Sequence, residues 1–342
     1  MIDEKYYELD REGVISSDFW TNRLYEVAYS KVGDKKYPIV IPSYNRPENG
    51  FCKWATARFD PNETWPIYIV VRDSQVKQYE ESKYIKGYDY IKVVGFPDSE
   101  IDDIGKVRKK IVEHFSKTES CIFMLDDDLT RFTYTVPYKR ESGAKISLSL
   151  TKEIESPARV FAMWQLAHER AILLRDDLIT SAPMIAGFNW ETSFCDEAQS
   201  LRFMSGPQSL AVCLNLKTFD KYNINYRSII GNGHDDIDLL IRALLAGCTT
   251  CEFRWISYFN PGIGTSILNF ESVEKRFAQQ YQEMYDNFHD VDFVKWKHSK
   301  GGKALDNVGV NWARAIKYHD EVLTNATPIG TRFYNLVDEL NI

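Results

Sequence analysis

Four short apolar runs, each closed by polar or turn-forming residues, constrain the fold of this chain more than any other feature. They are residues Tyr37–Pro42, Trp65–Val71, Tyr90–Val94 and Cys121–Leu125. Runs of this length and content read as strands of a buried sheet. Val76–Ser82 and Ile104–Phe115 read as helices between them. The second sets Ile104, Val107, Ile111, Val112 and Phe115 at helical spacing. Strand, helix, strand, helix, strand is the pattern of a parallel α/β sheet flanked by helices.

The last of these strands carries the chemistry. Phe123-Met124-Leu125 runs straight into Asp126-Asp127-Asp128. α/β sheets bind ligands at the carboxyl ends of their strands, and three adjacent acids repel one another unless a cation or strong donors offset them. Hard divalent ions such as Mg²⁺ are held by one or two carboxylates plus substrate phosphates. In extended chain Asp126 and Asp128 share a side and Asp127 faces the other, which favours Asp126 and Asp128 as metal ligands. A solvated acidic turn is the plain alternative. Two cationic features accompany the triplet. Arg46 lies just past the first strand in Ser43-Tyr44-Asn45-Arg46-Pro47, where a planar guanidinium suits phosphate or pyrimidine recognition. Gly105-Lys106-Val107-Arg108 opens a helix, an end that favours anions.

Composition narrows the class without naming a partner. Of 342 residues, 44% are hydrophobic and 27% charged, as in ordinary soluble globular proteins. No stretch approaches the roughly 20 apolar residues of a membrane helix. Met1–Arg11 are charged and lack an apolar core, so no secretory signal is expected and a cytoplasmic location follows by default. The six cysteines sit in mostly apolar contexts and read as reduced; Cys248 and Cys251 form one CxxC without a second pair, a poor zinc signature. The net charge of -7 gives no global attraction to nucleic acid.

A second acidic cluster stands in Gly231-Asn-Gly-His-Asp-Asp-Ile-Asp-Leu-Leu240. Asp235 and Asp236 open a helix that ends near Gly247. Acids favour helix N-termini for capping and dipole reasons alone, so a structural role competes with a chemical one. Met184–Trp190 and Ser209–Leu216 read as strands, and Pro157–Leu174 as a long helix in which His168 is expected to be a core or surface residue.

Taken together, Pro-Ser-Tyr-Asn-Arg-Pro after the first strand, Gly-Lys-Val-Arg at a helix start and Leu-Asp-Asp-Asp after the next strand resemble a GT-A glycosyltransferase. Val70–Tyr79 and Asn311–Ile316 further resemble the TET/JBP-associated DNA-base glycosyltransferases of phages, and the likeness spans roughly residues 37 to 316. It implies a GT-A-like, Rossmann-type, mainly parallel central sheet. It implies metal-dependent sugar transfer from a nucleotide-sugar, with a UDP-sugar as first expectation, to a 5-hydroxymethylated pyrimidine such as hydroxymethylcytosine in DNA. Under that likeness the donor contacts Pro42, Tyr44, Arg46, Lys106, Arg108, Asp126 and Asp127. Mn²⁺ or Mg²⁺ binds Asp126 and Asp128, with His298 completing the shell and His289 as its alternate. The "Glu-Asp" acceptor motif falls on Asp235 and Asp236. Asp236 is then the general base of an inverting reaction and Asp235 the second choice; a retaining reaction would leave that role to the donor phosphate.

The acceptor side is read from local charge. Residues 130–156 carry Arg131, Lys139, Arg140 and Lys145 and read as an excursion over the site or a solvated loop. Lys295, Trp296, Lys297, His298 and Lys300 set cations beside an aromatic, which suits phosphates and a stacked base. The expected organisation is an N-terminal arm (1–36), a catalytic domain (37–270, with a nucleotide-sugar half 37–130 and an acceptor half 156–270) and a C-terminal helical segment (271–342). A GT-A enzyme acting on carbohydrate or protein, and a non-catalytic binding protein of the same fold, are the competing readings.

Overall fold

A computed structural model describes residues 18–48, 59–60, 63–136, 150–154, 156–185, 201–203, 210–229, 234–259, 279, 282–288, 293–297, 307–323 and 333–334. Helix α1 (Asp18–Val32) precedes β1 (Ile39–Pro42), β2 (Ile67–Arg72), α2 (Val76–Glu80), β3 (Ile91–Phe96), α3 (Ile104–Phe115) and β4 (Cys121–Leu125). The four strands pair in parallel in the order β3-β2-β1-β4. These are the four apolar runs, and the predicted helix boundaries of α3 are those observed. Between β1 and β4 the strand order reverses direction. A crevice at such a reversal, outside the carboxyl ends of the strands, is where open α/β sheets bind ligands.

Alternate residues of these strands enter two apolar layers. Ile39, Ile41, Ile69 and Phe123 pack on one face with α1 and α4 (Pro157–Leu174), while Val40, Val70, Ile122 and Met124 pack on the other with α3. Burial on both faces is why these strands read as continuous apolar runs. Helix α4 is almost wholly enclosed, and Phe161 and Trp164 meet Phe123 at ring-centroid distances of 5.0 and 4.8 Å. His168, on the same helix, is fully buried with Nδ1 2.7 Å from Ser181 Oγ, and burial pushes its pKa down to about 3. It is a core residue, as expected. The described cysteines, at 121, 213, 248 and 251, are buried free thiols.

The second half adds antiparallel strands to the parallel sheet. β5 (Arg131–Val136) and β6 (Leu150–Glu153) form an antiparallel pair. β7 (Leu178–Ile185), β8 (Leu201–Phe203), β9 (Ala211–Asn215), α5 (Leu216–Tyr222), α6 (Asp235–Leu245) and β10 (Thr249–Phe259) follow. β9 runs antiparallel between β4 and β7, and β10 lies parallel to β7 and antiparallel to β5 and β8. Three features depart from the sequence reading. The start and end of the 130–156 excursion are strands rather than loop, because β5 pairs with β10 in the sheet and buries Phe132 and Thr133. Strand β10 itself was not anticipated; Cys251, Phe253 and Ile256 bury into the core while Glu252 and Arg254 pair at 3.6 Å. The 271–342 segment is not helical throughout. It contains the hairpin of β11 (Val294–Lys297) and β12 (Asn307–Val310), helix α7 (Trp312–Val322), and β13 (Phe333–Tyr334), which joins β8. Among the described residues no helix is long and apolar enough to cross a membrane.

Candidate active site

The chain leaves β4 at Asp126, whose N–H donates to Leu210 O at 2.7 Å, and turns through Asp127 and Asp128. Because these residues form a turn, strand alternation does not decide where their side chains go. Asp127 faces β1. It accepts from Ser43 Oγ at 2.6 Å and from an Arg46 guanidinium nitrogen at 2.9 Å. Ser43 Oγ also lies 2.6 Å from the Tyr79 hydroxyl, which accepts the Arg46 backbone N–H at 2.9 Å. Tyr79 thereby fixes the loop after β1 and, through it, Arg46. Asp128 lies 4.0 Å from Arg46, and its Oδ1 is buried with no hydrogen-bond partner among the described residues.

Asp126 meets a different cation. Arg108, in the second turn of α3, donates 2.8 Å bonds from one terminal nitrogen to Asp126 and from the other to Asp235. Its side chain is only 8% exposed, and Asp235 is buried as well. Thus α3, the end of β4 and the start of α6 are tied together at one point. The approach of α3 depends on Gly105. A Cβ there would stand 2.3 Å from the Arg227 carbonyl oxygen, inside backbone that cannot give way. Asp103 caps α3 by accepting the Lys106 N–H at 2.9 Å, and also accepts from Ser228 Oγ at 2.7 Å.

Asp236, next to Asp235, accepts the Ile237 N–H at 2.9 Å and makes no ion pair among the described residues. With Arg108, Met124, Asp126, Leu210, Val212 and Tyr226 it lines one small cavity. Burial, reinforced by the Asp235 charge, raises the Asp236 pKa. Burial likewise pushes Asp126 up to about 6, with Arg108 opposing and Asp128 adding to the rise. Burial also raises Asp127, against the pull of Ser43 and Arg46. Two residues on, Asp238 is fully buried between Arg227 and Arg242, the latter at 2.7 Å, and serves the scaffold.

Backbone conformation sharpens the same picture. Asn45, Leu210 and His234 have φ of 54°, 68° and 62°, in the left-handed region that L-residues with side chains rarely adopt. They sit after β1, before β9 and before α6, around the acids. Strain of this kind persists where surrounding structure enforces it, often at ligand sites.

The remaining expected residues distribute as follows. Pro42 closes β1 opposite Val70, and Tyr44 is exposed beneath the Arg72 guanidinium, 4.6 Å from ring centroid to Cζ. Lys106 turns to Asp102 at 2.6 Å and Asp103 at 3.6 Å rather than standing open for an anion. Arg131 is exposed at the start of β5, and residues 295–297 lie in β11. Lys139, Arg140, His289, His298 and Lys300 lie outside the described residues. Ser43 and Tyr79 fall inside quoted motifs yet were not singled out. Tyr226 and Leu210 reach the cavity only through tertiary packing and carry no local signal.

The donor set fits a hard divalent cation. Asp126, Asp127, Asp128, Asp235 and Asp236 gather five carboxylates around two guanidinium groups, and Asp128 Oδ1 has no partner. No group of three or more His, Cys, Asp or Glu in coordinating geometry occurs among the described residues. A cation here would draw on Asp126 and Asp128, with phosphate and water oxygens among its other ligands.

Comparison with solved structures returns S. aureus TarS residues 1–349 in complex with UDP-GlcNAc, at 12% identity, 73% of this chain and 67% of that one, and a TM-score of 0.38. It also returns glucosyl-3-phosphoglycerate synthase from Mycobacterium tuberculosis in complex with Mg²⁺ and uridine diphosphate, at 10% identity, 84% and 91% coverage, and a TM-score of 0.42. No curated protein matches the chain. The family model described as TET-Associated Glycosyltransferase matches residues 37–263, two thirds of the chain and all of the site just described, so this protein belongs to that family and is a glycosyltransferase.

Proposed function

We propose that the protein transfers a sugar from a nucleotide-sugar to the hydroxyl of a 5-hydroxymethylated pyrimidine in DNA, with a divalent cation bound at Asp126 and Asp128. The observation that carries this reading is the convergence of two distant acidic clusters, joined through Arg108 and facing one cavity. Sugar transfer needs both. One cluster must tolerate a diphosphate, and the other must accept a proton.

A cation held by the strand-end acids would offset the charge of the departing diphosphate and act as a Lewis acid. Ser43, Tyr79 and Arg46 hold Asp127 and the loop after β1 in fixed relation to those acids. Asp236 is the general base. As the acceptor oxygen bonds to the anomeric carbon, the bond from that carbon to the diphosphate oxygen breaks, and the hydroxyl proton passes to the Asp236 carboxylate. Asp236 suits this role because no cation among the described residues pairs with it, and burial raises its proton affinity. A base in duplex DNA would be extruded to bring its hydroxymethyl group to this depth. Arg131, Lys139, Arg140, Lys145 and the 295–300 segment would supply phosphate contacts, His298 would add a ligand to the cation, and the reaction would belong in the cytoplasm. The relatives bound to UDP-GlcNAc and to uridine diphosphate with Mg²⁺ make uridine nucleotides the first donors to try.

The direct experiment incubates the protein with UDP-sugars, Mn²⁺ and DNA carrying 5-hydroxymethylcytosine, then digests the DNA to nucleosides for mass spectrometry. A nucleoside heavier by one sugar residue supports the reading, and binding to that DNA should weaken steeply with salt. Transfer to free carbohydrate with none to DNA would assign the other acceptor class. A salt-insensitive association would remove the phosphate contacts.

A further inference from the structure

The resemblance implies that Arg108 contacts the donor, but in the structure its charge is already engaged by two carboxylates. Both terminal nitrogens are already used at 2.8 Å, one on Asp126 and one on Asp235, and the side chain is 8% exposed. A donor phosphate that drew the Arg108 side chain out of this arrangement would break both bonds and leave two carboxylates without their cation. That exchange is unfavourable, because an uncompensated buried charge costs far more than a well-made pair returns.

We propose that Arg108 is a positioning residue, a clamp that sets the distance between the strand-end acids and the helix-opening acids and so fixes which carboxylate of the second pair is free to act. By holding Asp235, it withdraws that residue from proton transfer and leaves Asp236 facing the cavity. By holding one oxygen of Asp126, it orients that carboxylate at the end of β4. The clamp is built from three elements. Helix α3 is seated by the Gly105 approach to Arg227 and by Asp103, which binds both the Lys106 N–H and Ser228. β4 supplies Asp126 and α6 supplies Asp235. The Tyr226 ring lies 5.9 Å from the guanidinium carbon and closes the far side. The planar fork holds the two carboxylates at a set spacing, whereas an ammonium, a compact point charge with rotatable donors, imposes none.

The functional half of this inference rests on the sugar-transfer reading, and the structural half does not. The test therefore has two arms. In the first, Arg108→Met, Asp235→Asn and the double variant are compared with wild type by urea unfolding. The clamp predicts strong coupling: Asp235→Asn lowers the midpoint in wild type but costs little, or restores stability, once Arg108 is gone. Additive effects would overturn it. Should Arg108→Met fail to fold, Arg108→Lys takes its place in the cycle.

In the second arm, UDP binding in the presence of Mn²⁺ and steady-state transfer are measured for Arg108→Lys. The expected result is a kcat lowered about tenfold or more with UDP affinity within about threefold of wild type. UDP affinity lost about tenfold with kcat unchanged would make Arg108 a donor ligand and sink the proposal. A wild type that binds no UDP and transfers no sugar would count against the sugar-transfer reading, while the unfolding cycle still decides the clamp.

Discussion

The acids after β4 and the acids opening α6 are built from the same residue type, yet they are neutralised in different ways. In the helix-opening cluster the division is sharp. Asp238 is buried between Arg227 and Arg242, Asp235 is held by Arg108, and Asp236 has no cation of its own among the described residues. In the strand-end triplet the cations are shared and more open. Arg46, 31% exposed, bonds Asp127 and stands 4.0 Å from Asp128, leaving an Asp128 oxygen without a partner. The difference separates scaffold from chemistry. A carboxylate matched by two arginines can only hold the fold, whereas one left with surplus charge can take up a proton or a metal.

The contrast can be broken at several points. The largest expected effect is on turnover. Asp236→Asn should lower kcat by about 10²–10⁴-fold while the melting temperature stays within a few degrees of wild type. Asp238→Asn, on the same helix turn, should do the reverse. It strands Arg227 and Arg242, and should destabilise the protein by about 2–3 kcal/mol, below the ~3–5 kcal/mol of a wholly buried pair because both arginines reach solvent. Chemical denaturation of the two variants side by side measures the difference. If Asp238→Asn retains stability and loses activity, the division of labour on α6 is wrong.

Gly105→Ala should cost about 1–3 kcal/mol, as its methyl would press the Arg227 carbonyl and lift α3 away from the acids. Activity should fall with stability, because Arg108 moves with the helix. A further effect, near zero at neutral pH and growing as pH falls, lies away from the site. His168 is held neutral, with its folded pKa near 3 and an unfolded value of 6.5. The unfolded chain binds the extra proton between these values, so stability present above pH 6.5 is lost as pH falls toward 3. The slope is at most about 1.4 kcal/mol per pH unit. Denaturation midpoints of wild type and His168→Gln across that window should diverge, with the variant flatter.

Much of the nucleotide-binding half is legible in the sequence, since parallel strands buried on both faces leave uninterrupted apolar runs and each run ends in the polar residues that form the crevice. Asp126–Asp128 and Arg46 are visible for that reason, and the Asp235–Asp236 pair as an acidic helix start. The acceptor half is less legible. β10 mixes Glu252 and Arg254 with apolar residues because it runs past a buried ion pair, and β5 shares its stretch with a basic excursion that reads as loop. Arg108 was visible as a cation at a helix start, but its partner Asp235 lies 127 residues away, and no local pattern reveals such a contact. The same holds for Tyr226 and Leu210. Lys106 shows the same limit at short range: its pairing with its own neighbours Asp102 and Asp103 is seen only in the fold.

The central claim, that the strand-end acids and the helix-opening acids form one metal-assisted sugar-transfer site, is tested most directly by thermal unfolding against a panel of nucleotide-sugars with and without Mn²⁺. Wild type is compared with Asp128→Ala and Asp236→Asn. A donor at 100 times its dissociation constant should stabilise the fold by about 2.7 kcal/mol, a readily measured shift. The account predicts that one nucleotide-sugar stabilises wild type and Asp236→Asn only when the metal is present, and that Asp128→Ala loses the effect. Stabilisation that ignores the metal and survives Asp128→Ala, or a panel without any stabilising member, would contradict it.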